Sequence, residues 1–593
     1  MNYQIKRALT PRERDRFGAL PDLTAQLLFH RGIVDAASAQ EFLVPDYERQ
    51  NLDPLRLKDA SRAADRILQA ILAGEKVAIY ADYDADGIPG AAMFHDFFGR
   101  IGFSNFVIYI PHRHDEGFGL NKAAVESLAA EGVRLIVTLD CGVSDVAAVA
   151  HANALGLQVI ITDHHEPPPV PPPALAIVDP KQSDCSYPDK NLCGTGVAFK
   201  LIQALISRAA TAGKPLPLKT GHEKWLLDLV GLATLSDMVP LVGENRLFGH
   251  YGLTVLRKSP RKGLRRLFER LRLDQAHLSE DDLAFMVTPR VNAASRMGVP
   301  RDAFDLLVAG DDATALARAE HLDRVNDERK GVVAALVKEI KHTLHERHGE
   351  QLPAVLVLGN PSWRPSLLGL AANACAEEFD RPAFFWGRDG DNVIKGSCRS
   401  EGRTHVVELM RAAPAGTFMQ FGGHKHSGGF SVDNGAIHYL EQRLNEAAVA
   451  SAARKSPLES NATASDQTDE ASIDAELRLD DVTAKLYDEV SRLAPFGVGN
   501  PKPIFLFRNI PIAEIRVFGK GREHVELVFT RTAGAGGRLS AIAFFGVGNA
   551  WAKELSVGQR IDLIASLEKS FFRGRPELRL RVIDVLNSAH AKN

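Results

Sequence analysis

The sequence predicts an α/β protein of several domains. These are a parallel-sheet domain, a second α/β lobe joined to it by a long helix, and a small C-terminal β-barrel of the oligonucleotide-binding (OB) type. Three observations carry this. From Lys76 onward short apolar runs alternate with helix-like stretches, residues 304–346 have helical period and one highly charged face, and the last segment is a series of strand-like runs separated by glycine or charge. At 593 residues the chain also exceeds what one hydrophobic core supports.

Taken in order, residues 1–75 read as a helical lead-in, with patterns such as TAQLLFHRGIV and ASRAADRILQAILAG. Residues 76–303 carry KVAIYAD, NFVIYIP, VRLIVTLD and LQVIITD, with NKAAVESLAAEG and SDVAAVAHANALG between them. Strands alternating with helices imply a parallel sheet covered on both faces, whose ligand site lies beyond the carboxyl ends of its strands. Residues 304–350 form the connecting helix, and 351–450 the second lobe, beginning at PAVLVLG. Residues 451–474 are rich in Ser, Ala, Asp and Glu and read as a flexible linker. In 475–593 the runs PIFLF, HVELVF, LSAIAFFG, RIDLIASL and LRLRVIDV give the barrel. The stretch EPPPVPPP at 166–173 reads as a stiff surface connection.

Composition is that of an ordinary soluble protein, 45% hydrophobic and 24% charged. No stretch is apolar enough to span a bilayer, and the first residues lack the apolar core of a secretory signal, so no membrane partner is expected. Five cysteines without CxxC spacing exclude a zinc knuckle and a disulfide framework and suit a reducing cytoplasm. A net charge of −3 gives no global footprint for nucleic acid, but a channel needs only local positive charge.

The chemistry is concentrated at the ends of the predicted strands. DYDADG places Asp82, Asp84 and Asp86 at alternate positions, TLDCG places Asp140 before a glycine turn, ITDHHEP groups Asp163, His164 and His165, and GLATLSDMVPL places Asp237 after an apolar helix. Any one of these also serves turns and helix caps. Together they put carboxylates and one or two imidazoles at one edge of one sheet, a donor set that suits Mn²⁺ or Mg²⁺ better than zinc. Two such ions about 3.5–4 Å apart clamp a phosphoester during hydrolysis. Such a pair needs a bridging carboxylate, and Asp140, the lone acid of its strand end, is the choice.

The motifs DYDADG, PHRHDEGFGL, TLDCGVSD, ITDHHEP, CGTGVAFKL, GLATLSDMVPL and PRVNAASRMG, with KGSCRS and FGGHKHSGGF in the second lobe and LAPFGVGNPKPIF in the tail, resemble those of the DHH-family phosphoesterases. Within that family the resemblance is to its single-strand-specific exonucleases, from about residue 22 to the end. It implies a DHH domain followed by a DHHA1-type substrate lobe. It also implies removal of nucleotides from single-stranded DNA in the 5′-to-3′ direction, release of 5′-mononucleotides, and a role in recombination and repair. A helicase and a single-strand-binding protein are the partners such a role would involve. The resemblance further implies that Asp84 and Asp86 hold two ions separately, Asp140 bridges them, and His164 and Asp237 complete the second ion's shell. Asp82 would sit beside the site, Asp163 would orient His164, and His165 would touch the scissile phosphate. Arg113, Arg290, Asn292 and Arg296 would lie along the strand. Ser397, Arg399, Ser400, Gly422, Gly423 and His424 would form a phosphate clamp in the second lobe.

In the tail, Phe496, Phe505 and Phe507 are candidate stacking faces that a barrel core would also need, and Arg508, Lys520, Arg522, Lys569 and Arg573 are candidate groove cations. The sequence departs from the family pattern at Ser362-Trp363-Arg364-Pro365-Ser366, where relatives commonly carry Trp-His-Xaa-Gly. It departs again at Ile88-Pro89-Gly90, where small hydroxyl residues are usual. Two other readings stand beside this one: a phosphodiesterase acting on short oligonucleotides, and a non-catalytic DNA-binding scaffold.

Overall fold

The run KVAIYA extends because β-branched and aromatic side chains suit a pleated surface, and all five residues of β1 (Val77–Ala81) are buried, as a strand covered on both faces requires. In the computed structural model β1 lies in a five-stranded parallel sheet with β2 (Phe106–Tyr109), β3 (Leu135–Leu139), β4 (Gln158–Thr162) and β5 (Ala176–Val178), in the order β2-β1-β3-β4-β5. Residues 3–388, 393–401, 404–423, 425–454, 472–531, 537–571 and 576–587 are described. His424, Arg573 and most of the expected linker (455–471) lie outside them.

Register places the site. Ala81 pairs with Leu139, Leu139 with Thr162, and Thr162 with Val178. The next residue of each strand is therefore one row of aspartates, Asp82, Asp140, Asp163 and Asp179, at the carboxyl edge. The backbone ladder extends into this row, with Asp82 N–H donating to Leu139 O, Asp140 N–H to Thr162 O and Asp163 N–H to Val178 O. Helix α1 (Gly87–Arg100) starts directly after DYDADG, and Pro89 sits in its first turn, where no intrahelical donor is lost. A Cβ on Gly87 would lie 2.4 Å from the Asp82 carbonyl oxygen, so the loop folds back on the strand end only with glycine there. Helices α2 (Gly194–Thr211) and α3 (Leu227–Ser236), both largely buried, complete this domain's support, and Asp237 caps the end of α3.

Helix α4 (Thr288–Met297) leads on to the connecting helix α5 (Asp312–His348), 37 residues long. The second lobe has strands β6 (Leu356–Gly359), β7 (Ala383–Arg388), β8 (Ile394–Arg399), β9 (Gln420–Gly423) and β10 (Ser427–Val432), with helix α6 (Pro365–Phe379) between β6 and β7. Its sheet order is β9-β10-β8-β7-β6, and only β6 and β7 are parallel, so this lobe is a mixed sheet.

The chain divides into two units. One comprises Asp53–Asp237 and Gly252–Asp469; the other comprises Met1–Leu52, Met238–Tyr251 and Glu470–Asn593. The helical N-terminal stretch is thus divided, because Phe17, Ala25, Leu27 and Leu28 share a core with Phe505, Phe507 and Leu563 of the C-terminal segment. That segment is a seven-stranded sheet of β11 (Ala475–Glu476), β12 (Phe505–Pro511), β13 (Glu514–Phe518), β14 (His524–Thr530), β15 (Arg538–Ala543), β16 (Arg560–Ser570) and β17 (Glu577–Asn587). Its order is β11-β12-β16-β17-β15-β14-β13, with β15 and β17 parallel.

Candidate metal centre

Each acid at the strand edge is fixed by the fold. The Asp84 carboxylate accepts from Asp86 N–H at 2.8 Å and Gly87 N–H at 3.3 Å, closing the start of α1. The Asp86 carboxylate accepts from Gly194 N–H at 2.6 Å and Thr195 N–H at 2.8 Å, at the positive end of α2. Asp140 adopts φ +61°, a left-handed conformation that turns its carboxylate under α2. A Cβ on Gly194 would stand 2.5 Å from Asp140 Cβ, so glycine permits that approach. His164 aims Nε2 at Asp140 Oδ1 (3.2 Å), Asp237 Oδ2 (3.7 Å) and Asp86 Oδ2 (3.8 Å).

Ligand atoms fall within 4.8 Å of one another in three triads: Asp82, Asp84 and Asp140; Asp86, His164 and Asp237; and Asp140, His164 and His165. Asp82 is thus part of the cluster and not merely beside it. Burial, and then the neighbouring carboxylates, raise the affinity of this group for protons. Asp86 is pushed up to about 6, chiefly by burial and next by Asp84, against the backbone bonds from Thr195 and Gly194. Asp82, Asp140 and Asp237 are raised by burial first and by their fellow carboxylates after it. Burial, and next His165, lower His164 to about 3, so its ring is a neutral lone-pair donor. The buried oxygens Asp82 Oδ1 and Asp140 Oδ1 have no hydrogen-bond partner. Repelling buried carboxylates with orphaned oxygens and a neutral imidazole fit hard divalent cations of the Mn²⁺ or Mg²⁺ kind.

Asp163 takes a different role from the one expected. Its Oδ1 meets His165 Nδ1 at 2.7 Å and accepts the His164 and His165 N–H groups, while Oδ2 accepts Val143 N–H. It therefore orients His165, not His164. Burial alone would lower the His165 pKa, but the bond to Asp163 and that carboxylate's charge outweigh it, so the ring is held above its ordinary value.

Of the expected strand contacts, Arg296 feels the charge of Asp84 in the metal centre. Its Nη1 donates to Ser366 O at 2.9 Å, and Ser366 Oγ donates back to Arg296 O. Burial, then Arg113 and Arg329, push it down to about 9. Arg113 lies 4.8 Å above the Tyr83 ring. Arg399, whose Nη1 donates to Cys398 O, lies across Gly369, where a Cβ would stand 3.0 Å from Nη2. Ser397 lies on β8 opposite Gly429, Ser400 Oγ donates to Thr404 O, and Gly422 and Gly423 pair with Gly429 and Gly428.

Two expectations are corrected. Arg290 is buried, and each of its three nitrogens donates to Asp323 or Met286 O, so its charge is paired with Asp323 and it fastens α4 to α5. Asn292 Oδ1 accepts Ala85 N–H at 2.8 Å, so it braces the DYDADG loop. In the tail, Phe505 and Phe507 are fully buried and Phe496 packs against the same core, while among the described residues the exposed rings are Phe518, Phe544 and Phe545. Arg508 pairs with Glu476, and Lys569 lies 5.6 Å from the Tyr487 ring.

Two residues escaped the sequence reading. Phe118, 55% exposed, stands edge-on to His165 with centroids 5.7 Å apart, held out between left-handed Gly117 and Gly119; the GFG triplet was the available signal. Asp179, completing the strand-edge row, is pushed up to about 7 by burial; its signal was VDP ending an apolar run.

The aspartate–histidine cluster at the carboxyl edge of this sheet defines a metal-dependent phosphoesterase of the DHH class. Family models match as DHH family, N-terminal domain (76–234), DHHA1 domain (352–453) and RecJ OB domain (473–584). The chain belongs to the RecJ family. It is 33% identical to the single-stranded-DNA-specific exonuclease RecJ of Bacillus subtilis over 98% of this chain and 70% of that protein. It is 31% identical to that of Dickeya dadantii over 98% of both chains. Among solved structures, RecJ of Thermus thermophilus in complex with Mn²⁺ matches with a TM-score of 0.77 at 26% identity, covering 98% of this chain and 79% of that one.

Proposed function

We propose that this chain is a single-stranded-DNA-specific exonuclease that hydrolyses phosphodiester bonds with two Mn²⁺ or Mg²⁺ ions. It would digest 5′-to-3′ and release 5′-mononucleotides in recombination and repair, where a helicase and a single-strand-binding protein would be its partners. The observation that carries the reading is Asp140, whose carboxylate belongs both to the Asp82–Asp84 triad and to the His164–His165 triad, as a bridging ligand must. The names of the relatives and the Mn²⁺- and Mg²⁺-bound neighbours support the activity and the ions.

Bound ions of this kind supply Lewis acidity and a nucleophile at neutral pH. Asp84 and Asp86 would hold them separately, with Asp82 beside Asp84, and with His164 and Asp237 completing the Asp86 side. His165, held above its ordinary pKa by Asp163, would donate from Nε2 to a phosphate oxygen and offset charge that builds up there. Arg113, Arg296 and Arg399, with Ser397, would hold phosphate, and the exposed face of Phe118 would receive a base. Arg364, at the start of α6, replaces a family histidine with a fixed cation that cannot shuttle a proton.

The test follows 5′-labelled and 3′-labelled single strands with Mn²⁺, beside Asp140→Asn, which keeps a residue tolerant of the left-handed backbone. Loss of the 5′ label as mononucleotide in the wild type alone is expected. Strands bound but intact would overturn the catalytic reading in favour of a scaffold. Faster turnover of dinucleotides than of long strands would favour a short-oligonucleotide enzyme, against which the OB domain stands.

A further inference from the structure

The inward stripe of α5 is apolar at both ends and polar in the middle. Ala315, Ala319 and Leu322 are buried near its start, and Leu336, Ile340 and Leu344 join the core of the second lobe. Between them, at helical spacing, the stripe reads Asn326, Arg329, Val333. Asn326 is 0% exposed, and neither its Oδ1 nor its Nδ2 has a hydrogen-bond partner. Arg329 Nε is likewise buried and unpartnered.

The nearby acid cannot serve Arg329. Asp323, one turn before Asn326, is engaged by Arg270 and Arg290. Among the described residues none of Arg113, Arg296, Arg329 and Arg399 has a carboxylate at ion-pair distance. Arg296 feels the repulsion of the other three, with Asp84 of the metal centre the acid acting on it in the opposite sense. A cluster of partly desolvated guanidinium groups drawn from four segments, with the Arg329 Nε donor orphaned, is a site that calls for an anion. Arg296 and Met297 fix where it lies: Arg296 exchanges two bonds with Ser366 of the second lobe, and Met297 packs on that lobe's core.

We infer that Asn326 and Arg329 of the connecting helix are substrate-positioning residues that bind a phosphate of the DNA strand together with Arg113, Arg296 and Arg399. The inference rests on the nuclease reading above. Arg329 supplies charge-assisted donors from the helix side, and the Asn326 amide supplies a neutral donor to the same group or its sugar.

The experiment is steady-state digestion of 5′-phosphorylated and 5′-hydroxyl single strands by the full chain with Mn²⁺, across about 50–200 mM salt. Arg329→Ala should raise KM roughly tenfold with kcat nearly unchanged, the cost of one charge-assisted contact. The slope of log kcat/KM against log salt should become shallower by about 0.7, the single-strand value for one phosphate. Arg329→Lys should restore the slope but only part of KM, since a point charge replaces a fork. Asn326→Leu should raise the melting temperature, by filling a buried polar gap with an apolar side chain, and yet raise KM. Lys330→Ala, on the solvent side and paired with Asp327, should change none of these.

A loss confined to 5′-phosphorylated strands identifies the terminal monoester as the ligand; an equal loss on both identifies an internal diester. An unchanged salt slope in Arg329→Ala, or a fall in melting temperature in Asn326→Leu at unchanged KM, overturns the inference. If the wild type itself cleaves nothing, the nuclease reading fails instead.

Discussion

Asp86→Asn separates the charge of the metal centre from its architecture. The Asp86 carboxyl is raised from its ordinary 3.8 to about 6, by burial first and Asp84 second. A folded-state value above the unfolded one means that the folded protein holds this proton more tightly. The resulting stability is present below the unfolded value and is lost as pH rises through about 6. The whole shift is worth about 3 kcal/mol, of which about 1.4 kcal/mol remains at pH 5 and is lost by pH 8. For a cooperative unit of about 400 residues, an unfolding entropy of roughly 2.1 cal/mol/K per residue turns the part lost between pH 5 and 8 into about 1.5–2 °C. Asparagine loses one of the two acceptors that serve Gly194 and Thr195, which adds an offset that does not vary with pH. The assay is thermal unfolding of wild type and Asp86→Asn in a chelator from pH 5 to 8. The variant should gain on the wild type by that amount as pH rises, and Mn²⁺ at pH 8 should offset the gain by stabilising the wild type more than the variant, which keeps the Asp82–Asp84–Asp140 ligands but not the Asp86 carboxylate. A difference that stays flat with pH, or an equal Mn²⁺ response in both proteins, would show that these carboxylates do not crowd one another as described.

Other outcomes are expected from the same structure. Asp163→Asn removes the partner that holds the His165 pKa above its ordinary value, so the alkaline limb of the pH–rate profile should move to lower pH; an unmoved limb would take His165 out of the donor role. Asp140→Asn should abolish Mn²⁺-dependent digestion while retaining the wild-type far-ultraviolet spectrum, and calorimetry should show weakened ion binding. Phe118→Ala should raise KM by roughly tenfold, within the range for one base stacked on a ring, with Mn²⁺ binding intact. Phe544→Ala and Phe545→Ala, which remove exposed rings of the C-terminal barrel, should weaken single-strand binding by a similar factor, whereas Phe507→Ala should chiefly destabilise the fold.

The parallel sheet was legible because strands buried on both faces write themselves as continuous apolar runs, and the ligands were legible because they stand where those runs stop. The shared row of Asp82, Asp140, Asp163 and Asp179 was not, since register follows from pairing and a single strand does not specify its partner's offset. Arg290 illustrates the opposite failure: an arginine reads the same in sequence whether it meets a phosphate or, as here, Asp323. The association of the N-terminal helices with the C-terminal core was equally invisible, because Leu27 and Leu28 say only that they need an apolar neighbour. Phe505 and Phe507 alternate with Leu506 in a strand covered on both faces, which no aromatic count distinguishes from a stacking platform.

The left-handed backbone at Asp140 has a consequence for descent. Most L-residues pay a steric penalty at φ +61°, whereas aspartate, asparagine and glycine tolerate it. A lineage that ceased to need the bridging carboxylate would therefore not be free to drift at this position. The position, 3% exposed and packed against Gly194, would be steered toward asparagine or glycine, so the residue found here in a divergent copy reports on whether the bridging chemistry was kept.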